Sequence, residues 1–300
     1  MSRPTIHTEI ALSLIMCHDE ADGPGDAEPY LWPVFFKIDG DSFAVDNAGL
    51  IGFPVIHSSN GAHGNLGTTD VGAGDNISIP ESVGTWSTVL KPIPVNDPTL
   101  KMVIGDDLPG IAGVVAVLME QDSWPDSFAT VGYSALVNAV QLGVAQAAAS
   151  FQFASMPPTP EQIAAQIANV KALAGTMVTG AIEAYMSGTQ TVWYGSLGNN
   201  DDQIGTQAWT ILQDDFKGSN LIAITESWSG DNGSWTIGGD FINLDGNVVP
   251  PPPVDCKTLA AQIAELNADL SGETDINERK KTLQELGKLR SKFKQLGCHL

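Results

Sequence analysis

The sequence has few basic residues. Lysine and arginine total 14, against 35 aspartates and glutamates, which gives a formal net charge of -21. A chain of this sign repels nucleic acid and bare anionic lipid, so contact with phosphate groups requires a bridging cation. The acidity is concentrated before residue 250, because the last fifty residues carry 8 basic and 7 acidic side chains. The composition therefore argues against nucleic acid as a partner.

A long apolar run and a recognisable leader are also missing. No stretch reaches ~18 consecutive strongly apolar residues, the length of a membrane-spanning helix. The first residues contain no basic segment that leads into an apolar core and a small-residue cleavage site, so we expect no signal peptide. The compartment stays open, because leaderless export leaves no such mark.

Cysteine is scarce, with three residues in the chain. Cys17 ends an apolar strand and is predicted to be a buried thiol. Cys256 and Cys298 bracket the C-terminal segment, and a disulfide between them suits an oxidising compartment. The free-thiol alternative stays open, because the second helix of that segment is the longer one and, at ~1.5 Å per residue, its length offsets the two sulfurs.

Turn-forming residues are abundant, with 31 glycines and 18 prolines between short strand-like runs. In the first run Ile10, Leu12, Leu14 and Met16 alternate onto one predicted face. A proline at position 33 assigns the second run to a sheet edge or a bulge. The pattern predicts a mainly β fold, an antiparallel β-sandwich over residues 1–247. The principal predicted strands are Ile10–Cys17, Tyr30–Ile38, Ile111–Met119, Ala208–Leu212, Leu221–Trp228 and Ser234–Leu244.

Two segments follow a helical period instead. Residues 126–190 are predicted to be a helical hairpin inserted into the sandwich, and no charge occurs between Ser127 and Pro160. We expect this hairpin to pack against the sandwich or another protein. The alternative is a secreted pore-forming or toxic effector that inserts these helices into a membrane. Residues 248–255 form a proline-rich linker, and residues 256–300 a separate C-terminal helical hairpin.

Three acidic clusters fall at predicted strand ends: Asp22 to Glu28, Glu120 with Asp122, and Asp201 with Asp202. Calcium takes about six to eight oxygen ligands, and loops distant in sequence can supply them jointly. Convergence of the clusters would form one calcium site. The alternative is that the first cluster is only a turn, since Asp and Gly serve turn geometry without any metal.

The spacing of these acidic residues matches two loop motifs. The first motif is Asp22-Gly-Pro-Gly25-Asp-Ala-Glu28-Pro29-Tyr30. The second begins with Glu120-Gln-Asp122 and ends with Asp202-Gln-Ile204-Gly205. Their spacings are those of the first and third calcium-binding loops of a known family of β-sandwich modules. On these residues the chain resembles the C2 family of calcium-dependent membrane-binding modules, with the helical hairpin inserted in the third loop. The resemblance implies a C2-like antiparallel sandwich, calcium as cofactor and attachment to a membrane or another acidic surface. The implied calcium ligands are Asp22, Glu28, Glu120, Asp122 and Asp202.

The remaining polar residues carry simpler predictions. Asp19, Glu20 and Asp26 are expected to be solvated charges rather than ligands. His57 and His63 flank a serine pair, but no Gly-x-Ser-x-Gly turn accompanies them, so no enzymatic activity is predicted. An ion that only orders the loops is the structural alternative to a binding function.

Overall fold

The computed structural model describes most of the sandwich and parts of the tail. The described residues are 2–20, 27–46, 49–68, 70–121, 126–151, 202–230, 233–246, 262–266, 268, 278, 281–282 and 285–290. The second half of the inserted hairpin, the linker 248–255, Cys256 and Cys298 lie outside them.

The chain is mainly β, as the sequence predicts. The α-helices described before residue 250 are α1 (Glu81–Gly84), α2 (Pro98–Ile104) and α3 (Asp126–Ala149). A 3-10 turn covers Gln213–Lys217. The strands are β1 (Ile6–Asp19), β2 (Pro29–Ile38), β3 (Phe43–Asp46), β4 (Gly49–Gly52), β5 (Val55–Ser58), β6 (Asn76–Ser78), β7 (Thr85–Leu90), β8 (Ile93–Pro94), β9 (Asp107–Leu108), β10 (Ile111–Glu120), β11 (Asp202–Leu212), β12 (Leu221–Gly230) and β13 (Gly233–Asn243).

The first large sheet is centred on β1. Its order is β12-β13-β1-β6, and β7 also pairs with β1; every pairing is antiparallel. The predicted hairpin between β12 and β13 is confirmed, since Gly230 pairs with Gly233, whose φ of 90° favours glycine.

One prediction about β1 is wrong. The ladder between β1 and β13 shifts register between Leu12 and Leu14. Because the extra residue of a bulge reverses the alternation beyond it, the core receives Ile10 and Leu12 but then Ile15 and Cys17. Leu14, predicted to share the face of Ile10, instead borders a cavity under the C-terminal tail.

The second large sheet has the order β11-β10-β2-β5, again fully antiparallel. All ten residues of β10 are buried, as expected for an apolar run between two neighbouring strands. In β2, Pro33 pairs with Ala116 of β10 one residue beyond the β5 ladder, which ends at Val34 and Ser58. At Pro33 strand β2 therefore pairs with β10 but no longer with β5. Proline suits this position because it has no N–H to donate to a second neighbouring strand.

The two sheets pack face to face around one apolar core. Its residues come from the inner faces of both sheets, so the architecture is the predicted β-sandwich. Among the fully buried members are Ile10, Leu12, Ile15, Trp235 and Ile237 from the first sheet and Leu31, Phe35, Val114, Ala116 and Leu118 from the second.

Helix α3 covers the outer face of the second sheet. Its buried stripe of Tyr133, Leu136, Val140 and Val144 joins the residues of β2 and β10 that face away from the sandwich core. The Tyr133 hydroxyl donates a hydrogen bond to the carbonyl of Pro33 and accepts one from the Ser59 amide at 2.9 Å. The expectation that the first inserted helix packs on the sandwich is confirmed.

The C-terminal tail also reaches the sandwich. Residues 262–266 and 285–290 are helical, and Ile263 and Leu286 are buried. Leu286, Gly287 and Arg290 border a cavity of about 20 Å³ whose opposite wall belongs to β1, β12 and β13. The sequence predicts a separate C-terminal hairpin, and no local pattern in it indicates this contact.

Candidate functional site

One end of the sandwich, here called the acidic tip, collects the ends of six strands. Strands β1, β10 and β12 end there, whereas β2, β11 and β13 begin there, because each of these strands pairs antiparallel with its neighbour. Outside the strands, Ala27 and Val71 form an isolated bridge that ties two loops of the tip together. Segments far apart in sequence therefore meet at this end.

Three of the five predicted calcium ligands have neighbouring backbone positions at the tip. The backbone of Glu120 pairs with Pro29 of β2 on one side and with Asp202 of β11 on the other. The next amide, that of Gln121, donates a hydrogen bond to the carbonyl of Glu28 at 3.0 Å. The described strands thus bring Glu28, Glu120 and Asp202 to neighbouring strand ends.

Asp22 and Asp122 lie outside the described residues, although the chain enters both loops from the tip. Among the described residues, no group of three or more His, Cys, Asp or Glu side chains is arranged to share one metal ion. Strand alternation gives a reason. Pro29 pairs with Glu120, and successive residues point to opposite faces of a sheet, so Glu28 is expected on the face opposite to that of Glu120. Completion of the site depends on the loops.

Glu120 is the most enclosed of the acidic residues at the tip whose side chains the structure describes. It ends the apolar strand β10, and only 6% of its surface is exposed. A carboxylate at such a position is costly unless positive charge or hydrogen-bond donors surround it. Burial and negative charge are therefore combined at the centre of the three adjoining strand ends.

Glu20 differs from its predicted solvated state. Its Oε2 atom is buried and accepts no hydrogen bond within the described part of the chain. Asn76 pairs in register with Met16 near the end of β1. Its Oδ1 atom is likewise buried and accepts no hydrogen bond within the described residues. The sequence does not predict either atom's burial, because neither residue belongs to a loop motif.

The acidic residues at the tip act on the one cysteine that the structure describes. Burial raises the pKa of the Cys17 thiol to about 12, and the negative charges of Glu20, Asp75 and Asp19 add to the effect. The loop before β6 is close to this thiol, since the Cys17 amide donates to the carbonyl of Asp75 at 3.0 Å. Negative potential is thus concentrated at this end of the molecule.

We expect the folded protein to resist alkylation at Cys17. The thiolate is the reactive form, and the raised pKa keeps this thiol protonated near pH 8.5, where an exposed cysteine is half ionised. The test is iodoacetamide labelling of a Cys256→Ser, Cys298→Ser variant, read by mass spectrometry. Labelling should be slow in buffer and fast in denaturant; equal rates would contradict the enclosure of Cys17.

The two histidines near the serine pair contact different aromatic rings. His57 stacks on Trp86 with 5.5 Å between ring centroids, and burial lowers its pKa. His63 meets Tyr30 edge to face at 4.8 Å. The two histidines therefore contact different aromatic side chains.

Comparisons with protein-family models, curated proteins and solved structures find no match for this chain.

Proposed function

We propose that this chain is a calcium-dependent binding module whose ion is held at the acidic tip. The observation that carries the proposal is the junction of β2, β10 and β11, where Glu120 pairs with Pro29 and Asp202. Acidic residues some eighty positions apart in sequence start from adjoining strand ends there. This is the arrangement by which loops can supply a shared set of oxygen ligands.

The residues present suit a hard cation. Glu28, Glu120 and Asp202, with Asp22 and Asp122 from the adjacent loops, would hold the ion, and the buried Oε2 of Glu20 is a further oxygen in need of a partner. Bound calcium supplies positive charge that offsets the mutual repulsion of these carboxylates. Strands β10 and β11 carry two of these residues, Glu120 and Asp202, and the loops carry the other three.

The target we propose is an acidic surface, such as a membrane that contains anionic lipid. The chain before residue 250 carries 6 basic and 28 acidic side chains, so it repels such a surface unless a cation lies between them. The burial of α3 against the second sheet argues against the pore-forming alternative, in which this helix leaves the sandwich.

Calcium titration of the full chain by calorimetry tests the ion. We expect Glu120→Gln to weaken binding at least about tenfold, because it removes one charge from the ligand set without changing its shape. Glu265→Gln, the same change at an exposed tail position, is the control and should bind as the parent does. The absence of a binding signal in the parent would refute the site. So would parental affinity in both Glu120→Gln and the double variant Asp22→Asn, Asp122→Asn.

Sedimentation with vesicles tests the target separately. Vesicles of phosphatidylserine and phosphatidylcholine should carry the protein down with calcium and release it when a chelator is added. Vesicles of phosphatidylcholine alone are the control. If calcium binds in the titration but the protein stays in the supernatant with both vesicle types, the ion orders the loops and the membrane target is wrong.

A further inference from the structure

A buried carboxylate lies on the outer face of the first sheet. Asp240 of β13 pairs with Ala11 of β1 and Ala223 of β12, and its neighbour Phe241 belongs to the sandwich core. Asp240 therefore faces away from the core, yet only 3% of it is exposed. The helical tail covers it, since a Cβ atom added to Gly287 would lie 3.2 Å from Oδ2 of Asp240.

The tail presents a cation to the same place. Arg290 follows Leu286 by four residues, so the two share one face of the helix, and both border the cavity of about 20 Å³ together with Asp240. Burial lowers the pKa of the Arg290 guanidinium, and its Nε atom donates no hydrogen bond within the described residues. Arg290 of the tail and Asp240 of the sheet thus border the same cavity.

The charge of the tail complements that of the sandwich. Residues 278–294 contain seven lysines and arginines and two glutamates, whereas the chain before residue 250 has 28 acidic and 6 basic side chains. Glycine at position 287 costs helix stability but allows the close approach to Asp240. Attraction between this basic stretch of sequence and the acidic body is consistent with the placement of residues 285–290 over Asp240.

We propose that the outer face of the first sheet around Asp240 is a docking surface for a basic amphipathic helix, and that the tail of this chain occupies it as a releasable strap. Leu286 supplies the apolar contact, and the complementary charges supply an attraction that salt screens. Release exposes the surface around Leu14 and Asp240 to other basic helices. The strap is independent of the calcium site, which lies at the tip.

Tryptic cleavage of the full chain after Lys288 measures how often the strap is released. In the parent, cleavage should be slow at about 0.02 M salt and roughly tenfold faster at about 0.5 M. Leu286→Asp, which buries a charge in the contact, serves as the released reference, so the ratio of parent to variant cancels the effect of salt on trypsin. Asp240→Asn and Arg290→Met should each raise the low-salt rate, because each removes one of the complementary charges at the contact.

Asp70→Asn is the matched control, since it removes one negative charge at an exposed loop position away from the tail. It should leave cleavage unchanged. Equal cleavage of the parent and Leu286→Asp at low salt would show that the tail is not docked. The electrostatic strap would be overturned if the parent stayed protected from cleavage at high salt and if Asp240→Asn were cleaved at the same rate as Asp70→Asn.

Discussion

Asp39→Ala is expected to lower the free energy of unfolding by about 3–5 kcal/mol, because it removes the fully buried one of the two carboxylates that bond the buried Lys37 ammonium. Lys37 Nζ donates to Asp39 Oδ2 at 2.9 Å and to the carbonyl of Val89 at 2.8 Å. The Lys37 side chain is 6% exposed and that of Asp39 is fully buried. Asp39 Oδ2 also accepts the amide of Lys91 at 3.0 Å, so the substitution breaks a satisfied network that joins β2 to β7. Denaturant unfolding measures the loss.

Asp41→Ala is the control for this prediction. Asp41 also bonds Lys37 Nζ at 2.9 Å, but its side chain is 38% exposed and solvent can replace it. Its loss should cost no more than about 1 kcal/mol. Addition of Lys37→Met to Asp39→Ala should restore part of the stability, because no charge is then stranded. Equal losses from Asp39→Ala and Asp41→Ala would contradict the assignment.

Val140→Asp is expected to destabilise the protein by about 4 kcal/mol or more, because it buries an unpaired carboxylate between α3 and the second sheet. Val140 is fully buried in the outer cluster that α3 forms with β2 and β10. A detached helix would expose that cluster to solvent. We therefore also expect strong binding of an apolar fluorescent dye, measured beside the thermal midpoint.

Leu142→Asp tests the opposite face of the same helix. Leu142 is 63% exposed, two positions from Val140, so a new charge there meets water. It should leave the midpoint nearly unchanged and bind no extra dye. If both variants behaved alike, α3 would not be docked on the sheet and the pore-forming alternative would regain its basis.

The apolar patterns predicted the strands well where one strand is buried on both faces or alternates regularly. The run from Ile111 to Met119 became β10, and the hairpin around Gly230 formed where glycines allow the turn. The alternation in β1 misled beyond Leu12, because a bulge is set by pairing with β13 and leaves no mark in the strand's own sequence. Neither the partner of each strand nor the register could be read from local patterns.

The candidate site was predictable only in part. Spacing singled out Glu28, Glu120 and Asp202, and strand pairing brings the three to adjoining ends. The burial of Glu20 Oε2 and Asn76 Oδ1 could not be predicted, because the enclosure of a single atom depends on tertiary packing. The same holds for Asp240, whose enclosure depends on a tail segment nearly fifty residues further along the chain.

By itself the sequence determined the composition of the acidic tip, the mainly β character of the body and the apolar stripe of α3. These follow from side-chain chemistry and local periodicity, which act over a few residues. Only the tertiary structure decided that β2, β10 and β11 adjoin, that Cys17 lies among carboxylates and that a basic tail covers Asp240. Each of these depends on contacts between segments distant in the chain, whose pairing is selected by the burial of the whole core rather than by any local pattern.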